Sequence, residues 1–115
     1  MVGEKSYRFA IRVVNMYKWL CENKSEYILS KQLLRSGTAI GALLKEAEHA
    51  QSKSDLLSKV NIALKEANET VYWLMLLKDT EYITQKEFES MSTDAEELIK
   101  MLVSIVKTTK SRLGK

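Results

Sequence analysis

Not one proline interrupts the 115 residues of this chain, and glycine occurs only four times. A β-rich fold of this size needs many turns, and proline and glycine are the residues that punctuate them. What the sequence offers instead is apolar residues returning every three or four positions, the spacing that lines one side of an α-helix. With 45% apolar and 29% charged residues, the composition suits long amphipathic helices around a common core, so the fold class is all-α. The length suits a single domain over 1–115 and leaves no room for a second core.

Four such series can be placed. Phe9, Ala10, Val13, Met16, Tyr17 and Leu20 mark a first helix over about 7–22, with Ser6 as its expected N-cap. Leu33, Leu34, Ile40, Leu43, Leu44 and Ala47 mark a second over about 31–50, entered through Ser30 as the candidate cap. Gly37 and Gly41 lie inside it, and a glycine in a helix costs about 1 kcal/mol relative to alanine. Amid Ser36, Thr38, Ala39 and Ala42 they form a smooth face that another backbone can approach closely.

The third helix, about 55–77, follows Ser52 or Ser54 as cap, with Asp55 in its first turn where the helix dipole is positive. It carries one stripe of Leu56, Val60, Ala63, Ala67, Val71 and Leu74, and a second of Leu57, Leu64, Met75 and Leu76 beside Tyr72 and Trp73. A surface helix needs only one stripe, so this helix is expected to be covered on two sides. Thr84 with Glu87 three residues on is a capping-box signature, and Phe88, Met91, Ala95, Leu98, Leu102, Ile105 and Val106 supply the buried stripe of a fourth helix over about 85–110. Short polar connections between these segments predict an up-down-up-down antiparallel four-helix bundle. Leu33, Ile40, Leu44, Val60, Ala63, Leu74, Leu98 and Leu102 are its expected core.

No apolar run approaches the roughly 18 to 20 residues of a membrane span, and Met1 to Arg12 lacks the apolar stretch of a signal peptide. A cytoplasmic protein that does not engage membranes is expected. Cys21 stands alone, which rules out an intrachain disulfide and suits a small packed residue. Catalytic constellations are equally scarce. The internal glycines sit within a helix rather than in a phosphate-binding loop after a strand, and nothing ties Cys21 to His49 as a nucleophile and base. Glu46 and His49 have the Glu-x-x-His spacing of carboxylate di-metal bundles, but such sites use two of these motifs and this chain has a single histidine. An enzyme is therefore not expected, nor a metal or cofactor. Arg35, Glu46, Lys59, Glu66 and Glu69 fall on facing sides of the second and third helices, where charges beside small and apolar residues pair and set helix or subunit register.

The net charge of +3 is unevenly spread. From Lys78 to Glu97 seven acids face two lysines, whereas Leu98 to Lys115 holds Lys100, Lys107, Lys110, Arg112 and Lys115 and no acid. Acids near a helix N-terminus and bases near its C-terminus also follow from the helix dipole alone. The alternative is a basic end that attracts phosphate.

Two blocks carry a resemblance. Ser30, Gln32, Leu33, Arg35, Ser36, Gly37, Thr38, Ile40, Gly41, Glu46 and Ala47 form the first; Ser52, Asp55, Lys59, Ala63, Glu66, Ala67, Glu69, Thr70, Tyr72, Trp73, Leu74 and Leu77 form the second. In order and spacing the chain resembles the 23S rRNA intervening-sequence protein family, also described as the four-helix bundle protein family. It departs from that pattern where Leu43 replaces a common asparagine, Ala39 a serine and Leu56 a phenylalanine, which removes polar groups from the second helix. The resemblance implies a bundle assembled as a ring-shaped homo-pentamer. Similarity to the accessory proteins of diversity-generating retroelements implies a basic surface that binds nucleic acid and a reverse transcriptase.

The expectation is a non-enzymatic accessory protein that binds RNA or DNA without reading sequence, through Lys107, Lys110, Arg112 and Lys115. Arg35, Gly37, Gly41, Glu46, Lys59, Glu66, Glu69 and Trp73 are expected to serve helix or subunit packing. The rival is a scaffold that recruits a protein partner with nucleic acid playing no part.

Overall fold

In the computed structural model, which describes residues 1–114, four helices account for nearly all of the chain. They are α1 (Val2–Lys24), α2 (Leu29–Ala47), α3 (Lys53–Asp79) and α4 (Gln85–Arg112). Each packs on its neighbour in sequence and α1 closes on α4, giving one compact bundle 49 Å long and about 22 Å across.

Partner positions run in opposite senses along each contact. Gly37 and Gly41 of α2 meet Val13 and Ser6 of α1 respectively; Glu46 and Arg35 of α2 reach Lys59 and Glu66 of α3; Arg12 and Lys5 of α1 reach Asp94 and Glu97 of α4. The core is one continuous cluster from all four helices, and all eight expected core residues are buried in it. Phe9, Val13, Leu20, Ala67, Leu77, Ile83, Met91, Ala95 and Val106 complete it.

Several boundaries differ from the sequence expectation for identifiable reasons. Ser6 is not the cap of α1: the helix starts at Val2, and Ser6 is buried, its hydroxyl donating to the Gly3 carbonyl at 2.8 Å. Ser30 does not cap α2 either. That role falls to Glu26, whose carboxylate accepts from the backbone N–H groups of Ile28 (3.1 Å), Leu29 (3.0 Å) and Ser30 (2.6 Å), while the Ser30 hydroxyl donates to the Glu26 carbonyl. Burial alone would raise the Glu26 pKa, but these N–H donors outweigh it and hold the carboxyl below its ordinary value. The preceding turn is set by Ser25, in left-handed conformation (φ 50°), which stops α1.

At its other end α2 stops at Ala47 rather than Ala50, and Glu48 and His49 turn toward α3. Between the two candidate caps of α3 the structure selects Ser52, whose hydroxyl accepts from Asp55 N at 3.0 Å. The Thr84–Glu87 capping box at α4 is present in both directions.

The wide apolar arc of α3 is covered from within the chain, because α2 and α4 flank it. Leu57, Leu64 and Leu76 are half-buried there, leaving Tyr72 and Met75 exposed. α3 also buries a polar contact: Thr70 and Ser36 share a hydrogen bond of 2.9 Å between α3 and α2.

Candidate nucleic-acid interface

Relative helix lengths decide what lies at the basic end. The Lys5–Glu97 pair aligns the start of α1 with the middle of α4, and Met1 and Val2 share a groove with Lys100 to Ile105, so α4 beyond about residue 105 runs past its neighbour. The Glu46–Lys59 pair (3.2 Å) likewise sets the end of α2 beside Lys59, leaving Lys53–Ser58 of α3 ahead of it. The first turns of α3 and the last turns of α4 thus form a two-helix projection.

Lys107, Lys110 and Arg112 are all exposed on that projection. None of them, nor Lys100 or Lys53, makes an ion pair with an acid among the described residues. Lys115, the fourth expected phosphate contact, lies outside the described residues.

Among the described residues the bases at the helix seams are engaged, whereas Lys18, Lys24, Lys31, Lys65 and Lys86 have no acid partner. Arg12 donates to Asp94 at 2.6 Å and to the Ser90 hydroxyl at 2.7 Å, and Lys5 pairs with Glu97. Arg35 bridges two carboxylates, Glu66 at 3.2 Å and Glu69, and the Trp73 indole N–H donates to Glu69 at 2.8 Å. That indole hydrogen bond, assisted by Arg35, holds the Glu69 carboxyl below its ordinary pKa against a smaller opposing effect of burial. These four side chains form one network across α2 and α3.

Gly37 lies where α2 meets α1, and a Cβ there would sit 2.7 Å and 2.8 Å from the two methyls of Val13. Gly41 has ordinary space, with Ser6 atoms no nearer than 3.5 Å. The small-residue face of α2 therefore packs inside the chain.

An open cleft of about 470 Å³ lies between α1 and α4, floored by Met16, Trp19 and Met91. Its cations and acids are mixed, with Arg12 already held by Asp94, so it offers no field of one sign. Among the described residues no group of three or more His, Cys, Asp and Glu is placed to hold a metal, and no helix is long and apolar enough to cross a membrane.

Fold and surface together define a helical bundle whose internal seams are apolar or ion-paired and whose last helix, after Glu97, carries exposed cations and no acid. The chain belongs to the 23S rRNA-intervening sequence protein family, whose model matches residues 1–104. It is also similar to a crystallised protein with unknown function from the S23 ribosomal protein family of Bacteroides thetaiotaomicron VPI-5482, at 56% identity and a TM-score of 0.92, over 93% of this chain and 99% of that one. No match was found among curated proteins.

Sequence reasoning missed Glu26 as a cap and Lys53 as a member of the basic end. Lys53 sits at the N-terminus of a helix well before the other cations in sequence, and only the α3–α4 packing brings it to their end of the bundle.

Proposed function

We propose that this protein is a non-enzymatic accessory factor that binds nucleic acid without reading sequence, working as a homo-oligomer. The observation that carries this is a projecting end of α4 with no acid after Glu97, where Lys107, Lys110 and Arg112 stay without acid partners; Lys18, Lys24, Lys31 and Lys86 are also unpaired, but they lie at the end that carries Asp79, Glu81 and Glu87. Phosphate contacts of this kind position a nucleic acid but carry no base information.

One chain at +3 binds phosphate weakly. The pentamer implied by the family resemblance multiplies the contact, because a ligand that spans several copies gains effective concentration at each further site. Large apolar side chains left in solvent favour such assembly: Tyr7 is 69% exposed, Tyr72 55% and Ile11 47%. The same side chains keep the rival alive, since Tyr7, Ile11 and the half-buried Val14 follow helical spacing along α1 and suit a protein partner.

Sedimentation at micromolar concentration should give a homo-oligomer of five, and a monomer would remove the multivalent part of the proposal. Two unrelated RNA sequences of equal length should compete with equal affinity; strong preference for one would mean that bases are read.

A further inference from the structure

The proposed binding mode leaves open how far the site extends and what form of nucleic acid it fits. α4 answers the first question by its helical phase. Lys100, Ser104, Lys107 and Ser111 recur at steps of four, three and four, and all are exposed, so they line one outer edge of the helix opposite the buried Leu98, Leu102, Val106 and Thr109. At 1.5 Å per residue the line is about 16 Å long. Lys110 and Arg112 flank its end, and Lys53, exposed in the first turn of α3, is brought to the same end of the bundle by the antiparallel packing of α3 on α4. Glu96 and Glu97 mark where the line stops toward the middle of the bundle.

The second question turns on what is missing beside these cations. Single strands are held largely by stacking their bases on aromatic side chains, about 1–3 kcal/mol for each base. No aromatic residue occurs in α4 after Phe88; the exposed Trp19, Tyr27 and Tyr72 sit toward the opposite end of the bundle, and Tyr7, exposed at the near end, borders Ala42 and Lys45 on the α1–α2 side rather than α4. A straight edge of alternating lysine and serine, without a stacking platform, matches a stiff backbone of closely spaced phosphates.

We infer that the outer edge of α4 from Lys100 to Ser111, together with Lys53 of α3, is a phosphate-tracking strip that takes the backbone of a nucleic-acid duplex. This rests on the nucleic-acid proposal above and adds two contacts and a ligand form to it. Ser104 and Ser111 supply hydroxyl donors between the lysines, and the lysines neutralise successive phosphates as counterions leave.

The full-length protein should be titrated with a 20-base-pair duplex and with its single strands, across a salt series. Lys53→Gln and Lys100→Gln should each lower the steepness of log affinity against log salt by about one for each chain engaged, which is roughly tenfold in affinity near 0.1 M salt. Lys31→Gln, an exposed lysine at the far end, should leave both quantities unchanged. All three sites are exposed, so circular dichroism and sedimentation should match wild type. If Lys53→Gln and Lys100→Gln behave as wild type while changes at Lys107, Lys110 and Arg112 weaken binding, the strip is overturned and the nucleic-acid proposal stands. Tighter binding of the single strands than of the duplex overturns the assigned ligand form. If wild-type protein binds neither, both proposals fall.

Discussion

Replacing Gly37 by alanine tests the tightest helix contact in the bundle. The added Cβ would lie 2.7 Å and 2.8 Å from the Val13 methyls and 3.2 Å from its Cβ, well inside the roughly 3.5–4.0 Å at which carbon atoms rest. Val13 cannot yield by turning, since it is fully buried and a β-branched side chain in a helix has one strongly preferred rotamer. The α1 and α2 backbones must separate, an overpacking strain of about 1–3 kcal/mol. Against this, alanine is favoured over glycine in a helix by about 1 kcal/mol. The net should lie between neutral and a destabilisation of about 2 kcal/mol, leaving Gly37→Ala less stable than Gly41→Ala.

Gly41 provides the internal comparison. Its nearest neighbours would be at 3.5 Å, so Gly41→Ala should be neutral or stabilising by up to about 1 kcal/mol. In a Val13→Ala background, where the methyls are gone, Gly37→Ala should lose its cost. Urea unfolding followed by circular dichroism measures all four variants. If Gly37→Ala is as stable as Gly41→Ala, the close approach of α1 and α2 is not as described.

Other consequences follow from the core and the caps. Leu74 is fully buried, and Leu74→Ala should cost about 2–5 kcal/mol in the same unfolding assay; a loss under about 1 kcal/mol would place it outside the core. Glu26→Ala strips three backbone N–H groups of their acceptor and should cost about 1–3 kcal/mol at neutral pH. Because the Glu26 pKa is lowered on folding, its contribution is full above the unfolded value and is lost as pH falls through the lower folded one. The stability gap between wild type and Glu26→Ala should therefore narrow in acid, and a gap independent of pH would show that the charged carboxylate is not the cap.

The helical class, the four segments and the central core could be read from the sequence because apolar spacing is a local signal. The ends of α1 and α2 could not. Ser6 and Ser30 sit in front of apolar series and look like caps, but both are small polar residues buried at helix contacts with their hydroxyls returned to nearby carbonyls. Ser36 and Thr70 hide for a related reason: polar letters interrupt an apolar stripe, and only the packing of α2 on α3 shows that they satisfy each other.

The candidate site was legible as a composition and not as a surface. Counting charges gives a basic stretch after Leu98, but which cations remain unpaired depends on tertiary partners such as Asp94, Glu97 and Glu46, and Lys53 joins the cluster only through the fold. The residues expected to serve packing divide between two contacts. The glycine serves the α1–α2 contact, and the charged residues bridge α2 and α3.

If the cations of the projecting end bind nucleic acid through its phosphates, the salt dependence of binding must change when they are removed. Wild-type protein and a Lys107→Gln/Lys110→Gln/Arg112→Gln variant should be titrated with the same RNA and DNA from low to physiological salt, with oligomer size checked by sedimentation. Wild-type binding should fall steeply with salt, and the variant, of unchanged size, should bind more weakly with a flatter slope. If wild type retards neither RNA nor DNA at low salt, or if the triple change leaves affinity and slope as they were, the basic end is a solvated helix terminus and the scaffold alternative takes its place.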